Sequence, residues 1–196
     1  MICQFCHSTD DVQQKTKFVA CRRCLTLQKH MKRDTGLFYD VMNRRYMSGI
    51  DVQADFADCN KLLVLDLHGV TDLLSKPVFS EMAAKMDARD IRIILLSYVG
   101  TTTQTRTDAQ LDMIEYIHQL PCNVRAFTCF HRGEKVELSN KGHFVQMLLK
   151  PDATIHFFDD SLDHVSAARA AGVTAHHVQT SDPTMLLNDI YSIGEM

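Results

Sequence analysis

The chain reads as an α/β protein: a parallel sheet with helices on both faces, preceded by a small cysteine-rich finger. Three observations predict this. From residue 61 onward, short and near-continuous apolar runs alternate with helix-like segments, as strands covered on both faces require. Four of the seven cysteines form two Cys-x-x-Cys pairs within the first 24 residues. No internal repeat, low-complexity tract or Gly/Ser linker separates the two parts, so they are expected to pack together. The expected division is 1–60 for the finger and its connecting helices, and 61–196 for the sheet domain.

The elements follow in order. Strands are expected at 61–66, 91–97, 123–130, 154–158 and 174–178. Between them, a helix over 77–86 begins with proline in its first turn, and one over 107–120 opens with the capping box Thr107-x-x-Gln110. A helix over 141–149 follows the capping candidates Ser139 and Asn140, and one over 161–171 stops at Gly172. In the front segment, QQKTKFVA suits a hairpin and LTLQKHMK a helix. Leu37, Phe38, Val41, Met42 and Tyr46 stand at helical spacing, which predicts a helix packed on the sheet. Strand and helix alternation of this kind gives right-handed crossovers, with ligands at the carboxyl ends of the strands.

Composition sets the outer limits. The 45% hydrophobic content supports a core, and the formal charge of −3 is mild, so the whole-chain balance announces neither a nucleic-acid nor a membrane binder. The front is the more basic part: nine Lys/Arg against seven Asp/Glu up to residue 60, and twelve against seventeen beyond. No apolar stretch approaches the roughly 18 residues that span a bilayer, and MICQFCHSTD lacks the features of a signal peptide. A soluble, intracellular protein in a reducing compartment is expected. An odd number of cysteines in a core-rich chain fits free thiols better than disulfides, and Cys59, Cys122 and Cys129 read as inert core thiols.

The strand ends carry the chemistry. Asp66 closes the run LVLD ahead of a glycine turn, Ser97 closes IILLS, Asp159 and Asp160 close IHFFDD, and Lys141 opens the helix before that last pair. Singly, each has a bland reading as a cap or a solvated charge. Together, converging carboxylates would repel one another unless a hard cation such as Mg²⁺ sat among them. A hydroxyl and an ammonium beside that ion suit a phosphoryl group.

These residues resemble the haloacid dehalogenase-like (HAD) superfamily of phosphohydrolases and phosphotransferases. LVLDLHGV is similar to its first motif, IILLS to the second, SNKGHF to the third, and IHFFDDSLDHVSAARAAGV to the fourth with its helix and glycine. The resemblance covers nearly all of 61–178 and implies a Rossmannoid sheet with a minimal cap. It makes Asp66 the nucleophile that forms an aspartyl-phosphate, and it has Ser97 and Lys141 hold phosphoryl oxygens. Asp66, Asp159 or Asp160, and the backbone carbonyl of His68 would ligate Mg²⁺. Lys135 is a rival for the lysine role, but HRGEKVEL places it in a polar loop.

His68 departs from the pattern, because the family carries there a second Asp that acts as general acid and base. Imidazole titrates near ~6.5 and can donate to and accept from oxygen at neutral pH. Its ring is longer than an Asp side chain, and a misplacement of about 1 Å can cost on the order of 100-fold in rate. Three readings stay open: a working acid/base, a slow enzyme in which the aspartyl-phosphate lingers, or a phosphate-binding regulatory module without turnover.

Substrate and front segment remain. Positions 66 and 97 lie about 30 residues apart, and 97 and 141 about 44, with much of each interval taken by a helix and a strand. That leaves no room for a large cap, which suits a macromolecular phosphate such as a nucleic-acid end or a phosphoprotein. The stretch from Val99 to Arg106 can present hydroxyls and a guanidinium to substrate, or simply cap a helix. Cys3, Cys6, Cys21 and Cys24 can offer four thiolates to Zn²⁺ in a zinc-ribbon or treble-clef arrangement, a redox pair being the other reading. His7 and His30 are alternative ligands. Lys15, Lys17, Arg22, Arg23, Lys29, Lys32 and Arg33 give the finger a basic face. Nucleic acid is therefore a candidate partner, against a zinc that only folds the segment.

Overall fold

The computed structural model describes residues 12–15, 18–21, 37–43, 45–99, 124–130 and 141–193. Outside them lie Cys3, Cys6, Cys24 and Cys122, most of the basic finger residues, the 99–106 loop beyond Val99, the helix expected over 107–120, and Lys135. Of the four expected zinc ligands only the backbone of Cys21 is described. It ends β2 (Phe18–Cys21), which pairs antiparallel with β1 (Val12–Lys15) in the expected hairpin.

The main sheet has seven strands. Five are parallel and run β7 (Val124–Phe130), β6 (Arg92–Val99), β5 (Lys61–Asp66), β8 (Thr154–Asp159) and β9 (Thr174–His177) across the sheet. The chain fills one side of β5 with β6 and β7, then crosses to the other side for β8 and β9. This Rossmann-like order leaves a crevice between β5 and β8 at their carboxyl ends, where adjacent connections leave in opposite directions.

Alternate residues of each strand feed two cores, which is why the strands read as near-continuous apolar runs. Leu63, Leu65, Ile93 and Leu95 face α2 (Lys76–Asp87) and α5 (Pro183–Ser192), meeting Phe79, Met82, Leu186 and Ile190. On the opposite face Val64, Ile94, Leu96, Phe127 and Phe157 meet α1 (Gly49–Asp55), α3 (Lys141–Met147) and α4 (Leu162–Ala170) through Val52, Phe144, Val145, Val165 and Ala168. Helix ends follow local chemistry. Pro77 stands in the first turn of α2, Asp182 accepts the Thr184 N–H at 2.8 Å to cap α5, and Gly172 ends α4 at φ +89°. Gly142 lets α3 and α4 touch, since a Cβ there would lie 2.8 Å from Ala167 Cβ. The close approach seats Lys141, one residue earlier, over the sheet end.

The segment 37–46 is not the expected helix. Leu37–Asp40 (β3) and Arg45–Ser48 (β4) form an antiparallel hairpin, and β3 pairs antiparallel with β7, extending the same sheet. The physical reason is burial on both sides. Phe38 packs edge-on against Phe144 at 4.9 Å in one core, while Tyr39 joins the other, and a strand buried on both faces lacks the alternation that separates it from a helix. Asp40, fully buried, holds the turn by accepting from Asn43 N at 3.2 Å and Nδ2 at 2.7 Å and pairing with Arg125 Nη2 at 2.8 Å. No helix among the described residues is long and apolar enough to cross a membrane.

Candidate functional site

Parallel pairing sets Leu65 opposite Phe158, so the next residues, Asp66 and Asp159, end their strands side by side in the crevice. The chain then turns sharply. The Thr71 hydroxyl donates to the Asp66 carbonyl, and Asp72 N–H donates to the Leu67 carbonyl at 2.9 Å. Gly69 has φ +74°, and a Cβ there would collide with the Asp160 carboxylate. Both facts demand glycine. Gly69→Ala is therefore expected to cost about 1–3 kcal/mol in chemical denaturation and to displace Asp160; an unchanged midpoint would show that the turn relaxes freely.

Four of the residues singled out in the sequence meet here. Lys141 Nζ contacts Asp66 Oδ2 and lies 2.9 Å from Asp159 Oδ2, with all three side chains at most 5% exposed. Oxygens of Asp66, Asp159 and Asp160 lie within 4.8 Å of one another. Asp159 is further held by Ser161 N–H at 2.8 Å and by His164 Nδ1 at 3.2 and 3.3 Å from its two oxygens. Asp160 is exposed, and His177 Nε2 donates to its carbonyl at 3.0 Å. Ser97, fully buried, ends up on the neighbouring strand one residue beyond the Asp66–Leu96 pair. His68 is exposed and its ring makes no hydrogen bond among the described residues.

The electrostatics show a shortage of positive charge. Burial pushes the Asp66 carboxyl up from 3.8 to about 6, with Asp159 and Asp160 adding to the rise and Lys141 opposing it. For Asp159, burial also raises, but hydrogen bonds from His164 and Lys141 and the Lys141 charge outweigh it and hold the group low. Burial works against the Lys141 ammonium, and the two aspartates beside it reverse that and raise its pKa. Three carboxylates against one ammonium leave a net deficit of two charges. An all-oxygen donor set with that deficit fits a hard divalent cation.

The sequence reading does not single out His164, and it assigns no role to His177. His164 stands five positions after Asp159, in the first turn of the following helix, and that short return of the chain brings its ring to the carboxylate. His177 reaches the site only through strand pairing, which sets it opposite Asp159. Cys129 is fully buried, and burial raises its thiol far above the ordinary range, so it is inert, whereas Cys59 is partly buried and packs against the second core.

Fold and site together define a class: a Rossmann-like α/β domain with an acidic cluster and a bridging lysine at the switch point of its sheet. No family model and no curated protein matches the chain. Among solved structures, the alpha,alpha-trehalose 6-phosphate synthase of Burkholderia multivorans aligns with 96% of this chain at 9% identity and a TM-score of 0.36. The chain spans 46% of that protein's length, and a likeness of this weakness bears on neither activity nor substrate.

Proposed function

We propose that the protein is a Mg²⁺-dependent phosphohydrolase of the HAD type, acting on a phosphomonoester through an aspartyl-phosphate. The observation that carries this is Lys141 held between buried Asp66 and Asp159, with Asp160 beside them. An ammonium locked against a carboxylate at a sheet's carboxyl end suits a nucleophile that must approach a phosphate dianion without repulsion. Asp66, Asp159, Asp160 and the backbone carbonyl of residue 68 would hold Mg²⁺, which supplies charge neutralisation for the phosphoryl oxygens.

In the first step an Asp66 oxygen forms the bond to phosphorus as the ester P–O bond breaks, and His68 gives its proton to the leaving oxygen. Lys141 and Ser97 hold the phosphoryl oxygens meanwhile. His68 then takes a proton from water, whose oxygen attacks phosphorus and releases Asp66 and inorganic phosphate. His68→Ala is expected to lower kcat about 100-fold, and a variant as fast as the parent would remove the ring from the chemistry. A second reading, phosphate binding with little turnover, is favoured by that same ring, since no hydrogen bond among the described residues aims it. Hydrolysis of sugar phosphates, nucleotides, phosphopeptides and nucleic-acid ends, each against an Asp66→Asn blank, separates the two. Activity equal to the blank throughout would sink the enzyme.

Cation affinity carries a pH signature. The folded, metal-free protein binds a proton at Asp66 below about pH 6, and a metal must displace it. Mg²⁺ affinity measured by calorimetry is expected to hold above pH 7 and to fall up to about tenfold per unit below pH 6. A flat profile from pH 5 to 7.5 would remove Asp66 from the ligands.

The short intervals between the site residues favour a macromolecular phosphate over an enclosed metabolite. The four cysteines at the front would hold Zn²⁺, and the basic residues among them would meet nucleic-acid phosphates. Elemental analysis of the purified chain tests the zinc; less than about half an equivalent would refute a structural site.

A further inference from the structure

We infer that the cavity at the amino ends of β5, β8 and β9 is a second ligand site, built for a small monocarboxylate with an apolar body. Its volume is about 450 Å³, within the roughly 300–1,000 Å³ common to small-molecule sites. It lies at the opposite edge of the sheet from the acidic cluster, so the inference holds whether or not the phosphohydrolase reading does.

Strand register gathers its polar groups. Lys61 pairs with Thr154, and His156 with Thr174. Partners in a parallel sheet share a face, as do residues two apart on one strand, so all four stand together, and all four line the cavity. Further along that face the strands carry Leu63, Leu65, Ile93 and Leu95, which confines the polar group to the amino ends. Ile91 and Ile193, both buried, add apolar wall. None of the described lining residues is acidic, so the Lys61 ammonium has no carboxylate beside it there. One cation and two hydroxyls at an apolar hollow complement a single negative charge on an apolar body.

His156 is the observation that carries the site. It is only 6% exposed, and its Nδ1 meets His176 Nε2 at 3.1 Å. The ring centroids are 5.4 Å apart and the planes differ by 20°. That separation is as large as the nitrogen contact allows, so the rings meet edge to edge with the hydrogen bond close to both planes. His176 is in turn stacked on Phe158, with centroids 4.2 Å apart and planes 10° from parallel. The His156 ring is thereby fixed, and Nε2, on the far side of that ring, faces away from His176. This nitrogen has no partner among the described residues. Folded proteins rarely leave such an atom unmet.

The pair can adapt to what arrives. Burial holds both imidazoles below their ordinary pKa, so at neutral pH they are uncharged and one hydrogen lies between the facing nitrogens. When His176 Nε2–H donates, His156 Nε2 carries its own hydrogen toward the cavity. When His156 Nδ1–H donates, Nε2 is an acceptor instead. A carboxylate selects the first form, because its oxygens only accept.

The test is calorimetric binding of phenylpropionate to the full chain without added Mg²⁺, so that no cation at Asp66 recruits the carboxylate. Phenylpropanol is its uncharged match. Phenylpropionate is expected to bind one to one with a Kd of about 1 mM or tighter, and phenylpropanol about tenfold more weakly. Lys61→Gln, at an exposed position, is expected to weaken phenylpropionate about fivefold and to leave phenylpropanol as in the parent. Nitrogen NMR of the imidazoles is expected to show His156 Nε2 protonated in the bound form. Absence of saturable binding, equal affinity for acid and alcohol, or parental affinity for the acid in Lys61→Gln each overturns the site. Binding that leaves the His156 nitrogen signals unmoved puts the acid elsewhere and overturns it as well.

Discussion

Lys141→Met is expected to destabilise the metal-free protein by about 3–5 kcal/mol at pH 7.5, the range for removing one partner of a buried ion pair. The side chain is 3% exposed and contacts two carboxylates that are no more accessible than 5%, so little solvent screening moderates the loss. Methionine keeps most of the length and removes the charge. What remains is a buried pair of aspartates in repulsion, with Asp160 close by. Two features tie the effect to this contact rather than to helix α3 in general. Acid should relieve it, because protonating Asp66, whose carboxyl is lifted to about 6, removes one of the charges left stranded; urea midpoints of parent and variant should draw together between pH 7.5 and 4. Adding Asp66→Asn should also relieve it, so the double variant should be more stable than the sum of single effects by 1 kcal/mol or more. Additive effects would mean that the lysine contributes through packing alone.

How much of this was legible beforehand varies with the physics involved. The five parallel strands were readable because burial on both faces writes itself as an apolar run, and Asp66, Ser97 and Asp159 were readable as the polar residues that end such runs. The same double burial misled at 37–46, where Phe38 and Tyr39 point to opposite cores and the pattern suits a helix as well as a strand. Helix α5 was legible in principle, through Asp182, Pro183 and the spacing of Leu186 and Ile190, but no strand pattern follows it to mark it as a crossover. The acidic cluster depends on register. That Asp66 lies level with Asp159 follows from the pairing of β5 with β8, which no local signal specifies. Contacts made across strands were out of reach altogether: His177 holds the Asp160 carbonyl and Thr128 stands beside Ser97 only because the sheet brings them there.

Function and stability should part company at Asp66. Asp66→Asn is expected to abolish phosphate release, since an amide oxygen is a far poorer nucleophile than a carboxylate, and at the same time to make the metal-free protein more stable. The sign follows from the titration. Burial lifts the Asp66 pKa from 3.8 to about 6 even against the pull of Lys141, so the folded chain holds the proton more tightly than the unfolded chain does. The stability that protonation confers is fully present below about pH 3.8, and is lost as pH rises through about 6. At neutral pH the parent therefore carries a buried charge that the fold disfavours by up to about 3 kcal/mol. Asparagine is neutral at every pH and nearly isosteric, so it escapes that cost. Asp159, held low by His164 and Lys141, contributes the opposite pH trend in both proteins and drops out of their difference. The variant should melt above the parent by several degrees at pH 7.5, with the gap closing toward pH 4. Saturating Mg²⁺ should narrow the gap at pH 7.5 by stabilising the parent more than the variant, because the cation binds best where the full carboxylate set remains. A variant that loses activity and also melts lower at pH 7.5 would make Asp66 a structural acid rather than a strained nucleophile.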